Sequence, residues 1–130
     1  EPSGTSRSIA VAAYDASTLA YAPFSGRGFP GLPGDIQPTL AAPGVNITTT
    51  RAGGAYTMVT GTSFATPFVT GAAALLMEWG IIRGNDPYLY GQKVKSYLIS
   101  GARPLPGISI YPDRRVGYGA LCVRNSFPRV

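Results

Sequence analysis

The stretch Gly61-Thr62-Ser63-Phe64-Ala65-Thr66-Pro67 places a serine directly ahead of a long run of small apolar residues. A serine at the start of a helix is surrounded by backbone N–H groups that have no intrahelical acceptor, and the helix dipole favours negative charge there. In acyl transfer the same geometry lets an amide hold the oxyanion of a tetrahedral intermediate. Ser63 is therefore the candidate catalytic residue, as nucleophile and as N–H donor to an oxyanion hole. Gly61 gives the turn its freedom and, with Thr62, leaves room for a substrate backbone, which makes these two the candidate substrate-binding residues. Pro67 has no N–H to donate to the Ser63 carbonyl and loosens the first turn. A plainer reading stands beside this one, in which Thr62 or Ser63 simply caps a core helix.

The elements that must position Ser63 can be read outward from it. Val45 to Thr50 and Ala55 to Thr60 are β-prone and separated by Arg51-Ala52-Gly53-Gly54, which predicts a hairpin delivering the chain to Gly61. Phe64 to Trp79 is apolar nearly all round and stops at Gly80, which predicts a helix buried on every side, with Gly71 to Ala74 admitting close-packed strands. Ser8 to Tyr14 is an apolar run without alternation, as in a strand of a parallel sheet covered on both faces. Thr39 to Ala42 predicts a second short strand, set in a Pro/Gly-rich loop from Ala22 to Gly44 that includes Gly31-Leu32-Pro33-Gly34. Asn85-Asp86-Pro87 predicts a helix start, with Asp86 as N-cap and Pro87 at N1. Val94, Tyr97 and Leu98 then mark the buried face, and Gly101 and Pro104 the end. Leu105 to Arg115 reads as loop, and Ala120 to Val123 as a short apolar piece. The class is α/β.

Composition excludes other functions. With 130 residues, 45% of them hydrophobic, the chain holds one ordinary core. The net charge of +5 is dispersed, with no basic cluster beyond Lys93/Lys95 and Arg114/Arg115, so neither nucleic acid nor a membrane surface is an expected partner. Cys122 is the sole cysteine, so it forms no internal disulfide and reads as a small core residue. The start, Glu1-Pro2-Ser3-Gly4, has no signal-peptide character, and no run reaches the length of an uninterrupted apolar span. There is no histidine, so a histidine base or ligand has to come from elsewhere.

That absence separates two families that present a serine between a β-element and a helix. In α/β-hydrolases the histidine follows the serine, and none follows Ser63; in subtilisin-like enzymes both partners precede it. The run from Gly61 to Leu75 resembles the G-T-S-x-A-[ST]-P-x-V-x-G-x-x-A-L serine motif of the subtilisin-like proteases. "SIAVAAYD", "LAAPGVNI" and "VGYGAL" are similar to the strand, the A-P-G turn and the closing G-x-G element of that family, in its order. The stretch from "EWGIIRGNDPYLYGQKVKSYLISGARPLPG" through "YPDRRVGYGAL" is similar to clostridial subtilases of the spore-germination type, which resemble one another in a jelly-roll insertion between their His- and Ser-bearing parts.

The resemblance implies a partial subtilisin-like fold, mainly parallel, with residues 1–130 as the C-terminal, serine-bearing part of a single catalytic domain. It implies serine endopeptidase chemistry on a protein or peptide substrate, through an acyl-enzyme on Ser63. The aspartate, the histidine and the oxyanion asparagine would come from the remainder of the domain, leaving this chain alone inactive and prone to self-association. Asp15, Asp35, Asp86 and Asp113 match none of the family's catalytic motifs. Phe68 stands where relatives carry a motif histidine, and Cys122 where many have Asn or Asp. Glu1 to Gly4 resembles the floor of the S1 pocket. Calcium is common among relatives but no ligand set for it is evident here, and no other cofactor is implied. The family suggests an extracytoplasmic or spore-associated setting. The rival expectation is a non-catalytic, subtilase-like module for binding or signalling.

Overall fold

Alternation along one strand organises the core. In a computed structural model, which describes residues 5–28 and 36–129, β1 (Val11–Asp15) pairs in parallel with β3 (Leu40–Pro43) and antiparallel with the two-residue β2 (Ala20–Tyr21). Successive side chains of a strand point to opposite faces. Ala13, Leu40 and Ala42 accordingly enter one apolar cluster, while Ala12, Tyr14 and Ala41 enter a second with Leu105, Val116 and Ala120. Both faces are covered, as the unbroken apolar run predicts. The parallel character continues in a bridge from Ala41 to Ala120. Glu1 to Gly4, the Gly31–Gly34 turn and Asp35 lie outside the described residues.

The hairpin forms as expected: β4 (Ile47–Arg51) and β5 (Ala55–Val59) pair around Gly53 and Gly54, both at positive φ (90° and 78°). It leads directly into α1 (Thr62–Met77). Ala65, Val69, Ala72 and Leu76 are its buried residues, a stripe at spacings of four, three and four that seats on β1 and β3.

Burial on every side is not what the structure shows. Phe68, Leu75 and Met77 are 43%, 50% and 38% exposed, because no described element lies across that face. Gly71 is exposed too, with nothing within 4 Å of an added Cβ, so no described strand packs against it. With the turn that follows, Thr62–Ile82 is long and apolar enough by composition to cross a membrane, a criterion that core helices also meet; here it packs on a sheet.

Nor does the helix stop at Gly80. A π-helical turn, Glu78–Ile82, carries it on, and Gly80 is instead a point of contact: a Cβ there would lie 2.7 Å from Leu89 Cδ2. The Asp86-Pro87 start is also displaced. The second helix, α2 (Gln92–Gly101), begins five residues beyond Pro87 with Gly91 at its N-cap (φ 58°). Asp86 serves as an acceptor for side chains of that helix, taking hydrogen bonds from Lys93 Nζ and Tyr97 OH, both at 2.7 Å. Lys95 is engaged as well, its Nζ donating to the Ser8 carbonyl at 3.0 Å. Val94 and Leu98 are buried as predicted. The chain closes with the one-turn α3 (Val123–Ser126), headed by Cys122, which is half-buried rather than a core residue.

Candidate active site

Ser63 sits at the second residue of α1 and is exposed. The N-cap is Gly61, at φ 156° and ψ 160°, a region that residues with a side chain rarely adopt. No side chain caps the helix, so neither Thr62 nor Ser63 fills the capping role that the plainer reading assigned. The Ser63 hydroxyl has no hydrogen-bond partner among the described residues. The Thr62 and Ser63 amides fall among the first N–H groups of the helix, which find no intrahelical acceptor, and no other described backbone carbonyl takes them. Pro67 leaves the Ser63 carbonyl without its i+4 donor, yet α1 runs through it unbroken.

Two contacts hold this turn in place. The Gly61 amide donates to the Gly44 carbonyl at 2.8 Å, and the Gly44 amide donates to the Tyr14 carbonyl at 3.0 Å, so the entry to α1 is tied through the end of β3 to the end of β1. A Cβ on Gly44 would lie 2.6 Å from Ala13 Cβ and 2.9 Å from the Gly61 carbonyl oxygen. The A-P-G turn was visible in the sequence; that its glycine abuts the turn before Ser63 was not.

Thr62, Ser63 and Thr66 border a cleft of about 520 Å³ that is also lined by the stretch Ile9–Ala12 and by Gly26 to Gly28. The Ala10 and Tyr14 carbonyls accept from the Thr39 and Gly44 amides on the β3 side, whereas on the other side the Ala13 amide donates to Ser25 Oγ and its carbonyl accepts from the Ala22 amide. By the same alternation Val11 presents its backbone toward the cleft, where β2 does not extend. The cleft therefore combines an unpartnered serine, free helix-start amides and an open sheet edge.

No described acid joins Ser63. Asp15 closes a turn with Ser17, whose hydroxyl and amide hold its carboxyl below the usual range. Asp113 faces Arg115: burial pushes its carboxyl up, but the hydrogen bonds from Arg115 outweigh this and leave it lowered. Asp86 is held down by Lys93 and then Tyr97. Among the described residues no three His, Cys, Asp or Glu side chains come together.

A helix-borne serine after a hairpin, on a sheet with this parallel pair, is the arrangement that the subtilase resemblance implies, and residues 1–119 match the model of the subtilase family: the chain belongs to it. Its fold is similar to that of the Clostridium perfringens CspB protease, at 42% identity and a TM-score of 0.91 over 96% of this chain and 27% of that one. It is also similar to the patellamide maturation protease PatA, at 34% identity and a TM-score of 0.76 over 97% of this chain and 44% of that one. In sequence it is 31% identical over 102 residues to the PII-type proteinase of Lactococcus lactis subsp. cremoris, spanning 68% of this chain and 5% of that protein. The chain thus corresponds to a minor part of each of these proteins.

Proposed function

We propose that the intact protein is a serine endopeptidase in which Ser63 attacks the carbonyl carbon of a peptide bond. The observation that carries this is the Ser63 hydroxyl itself, exposed and without a partner among the described residues at the start of α1, bordering a cleft, in a chain of the subtilase family. As the Ser63 Oγ bonds to carbon, its proton passes to a histidine, and the Ser63 amide helps hold the oxyanion. The C–N bond then breaks, the amine leaves with that proton, and water hydrolyses the acyl-enzyme. Thr62 and Gly61 flank the substrate backbone.

The histidine comes from parts of the protein outside these 130 residues, since the chain has none, and the family resemblance assigns its aspartate and a second oxyanion donor, an asparagine, to the same remainder. We place that remainder against the open edge of β1 and the exposed face of α1. In subtilisin, removal of the triad histidine costs about 2 × 10⁶ in kcat, so the chain alone is inactive. The likeness to the CspB protease supports a clostridial subtilase, and the likeness to the lactococcal proteinase and to Subtilisin BL supports action outside the cytoplasm; association with the spore is our proposal from the family resemblance.

The test is labelling of the full-length protein with a fluorophosphonate. Labelling abolished by Ser63→Ala supports the endopeptidase. Well-folded protein that takes no label would favour the non-catalytic binding module instead.

A further inference from the structure

The C-terminal segment gathers charge that the proposed chemistry does not use. Arg103, Arg124 and Arg129 line one surface pocket of about 660 Å³, together with Cys122 and Phe127. The acids among the described residues are occupied elsewhere: Glu78 pairs with Arg83, Asp86 with Lys93 and Asp113 with Arg115, while Asp15 closes its own turn. None of the three pocket arginines forms an ion pair or a side-chain hydrogen bond with a described residue.

The backbone that carries them is well held. Arg103 exchanges two hydrogen bonds with Ala120, at 2.8 and 2.7 Å. The amide and the hydroxyl of Ser126 both donate to the Cys122 carbonyl, at 3.1 and 2.9 Å, closing α3 beneath Arg124. Phe127 is set edge-on against Trp79, with centroids 5.7 Å apart and planes at 84°, which gives the pocket a supported apolar wall. Guanidinium groups stay charged, match carboxylates with a planar fork of donors, and around one concavity sum to a positive potential that draws anions in.

We propose that this pocket binds a carboxylate-bearing ligand, with Arg103 and Arg124 holding the anion and Arg129 adding charge. The carboxylate can belong to a free polycarboxylic acid or to the acidic side chains of a peptide. The proposal is independent of the Ser63 chemistry.

Cys122 is a built-in reporter for the test. The full-length protein is treated with an anionic and, separately, a cationic methanethiosulfonate, and labelling of the Cys122-containing peptide is followed by mass spectrometry. The anionic reagent is expected to react on the order of tenfold faster, with the preference shrinking in high salt. Arg103→Gln with Arg124→Gln should erase the preference. Citrate or a tetraglutamate peptide should slow the anionic reagent in the parent protein but not in the double variant. Protection by citrate alone identifies a small-molecule source, by tetraglutamate alone a peptide source, and by both a site that accepts either. Equal rates for the two reagents, no protection by either competitor, or protection that survives the double substitution would overturn the proposal. So would a Cys122 that neither reagent labels, because the pocket would then be closed in the whole protein.

Discussion

The Gly61 amide and the Gly44 carbonyl, 2.8 Å apart, join the turn before Ser63 to the strand pair beneath it. Gly44 has no room for a side chain there, since a Cβ would press on both Ala13 and the Gly61 carbonyl. Gly44→Ala must therefore shift Gly61, and Ser63 with it. On the proposed mechanism, kcat per fluorophosphonate-titrated site should fall about ten- to a hundredfold, the order of loss that a displacement of 1 Å produces. An unchanged kcat per titrated site, with only a lower Tm, would show that Gly44 matters for packing alone.

Asp86 binds Lys93 and Tyr97 of α2 and so braces the link between the π-helical turn and that helix. Its carboxyl lies below the ordinary value of 3.8, first through the Lys93 hydrogen bond, and Lys93 lies above its ordinary 10.5 through the same bond. A lowered acid contributes stability that is present above its unfolded pKa and lost as pH falls through the folded one. A raised base contributes stability that is present below its unfolded pKa and lost as pH rises through the folded one. The Tm gap between the parent and Asp86→Asn should be constant near neutrality and narrow toward both acid and strongly alkaline pH. A gap that stays level across a pH series of thermal melts would refute the brace.

Gly101 ends α2 against α3, where an added Cβ would fall 2.4 Å from the Ser126 backbone nitrogen. Backbone cannot swing aside as a flexible side chain can. Gly101→Ala should cost about 1–3 kcal/mol in denaturant unfolding, as overpacked cores do. A loss well under that range would mean that α3 moves away freely.

Phe68, Leu75 and Met77 leave one face of α1 exposed. The isolated 130-residue chain is expected to self-associate in sedimentation experiments, and Phe68→Ser with Leu75→Ser to shift it toward monomer. A monodisperse parent chain that melts cooperatively would contradict this.

Much of the fold was legible because short-range patterns decide it. The Gly53-Gly54 pair turned the hairpin as its backbone preferences require, and the unbroken run around Ala12 and Ala13 gave a strand buried on both faces. The misreadings arose where a local signal met a tertiary demand. Asp86-Pro87 carries a good helix-start pattern, but Asp86 is drawn to Lys93 and Tyr97, and the helix begins at Gln92 instead. Gly80 reads as a terminator, yet it is there to let Leu89 approach. The composition of α1 suggested burial on every side because apolar content does not say which neighbours are at hand.

By itself, the sequence determined the family, through the serine motif from Gly61 to Leu75, and, for the proposed chemistry, the need for an outside histidine, through the lack of one here. Both follow from residue identity and order alone. Only the tertiary structure decided that Ser63 faces a cleft with no partner among the described residues, that Gly44 ties down the turn before it, and that Arg103 shares one pocket with Arg124 and Arg129. Those relationships join residues far apart in the chain. They arise from the packing of β1, β3 and α1, and from Ala120 meeting Arg103, not from any local preference.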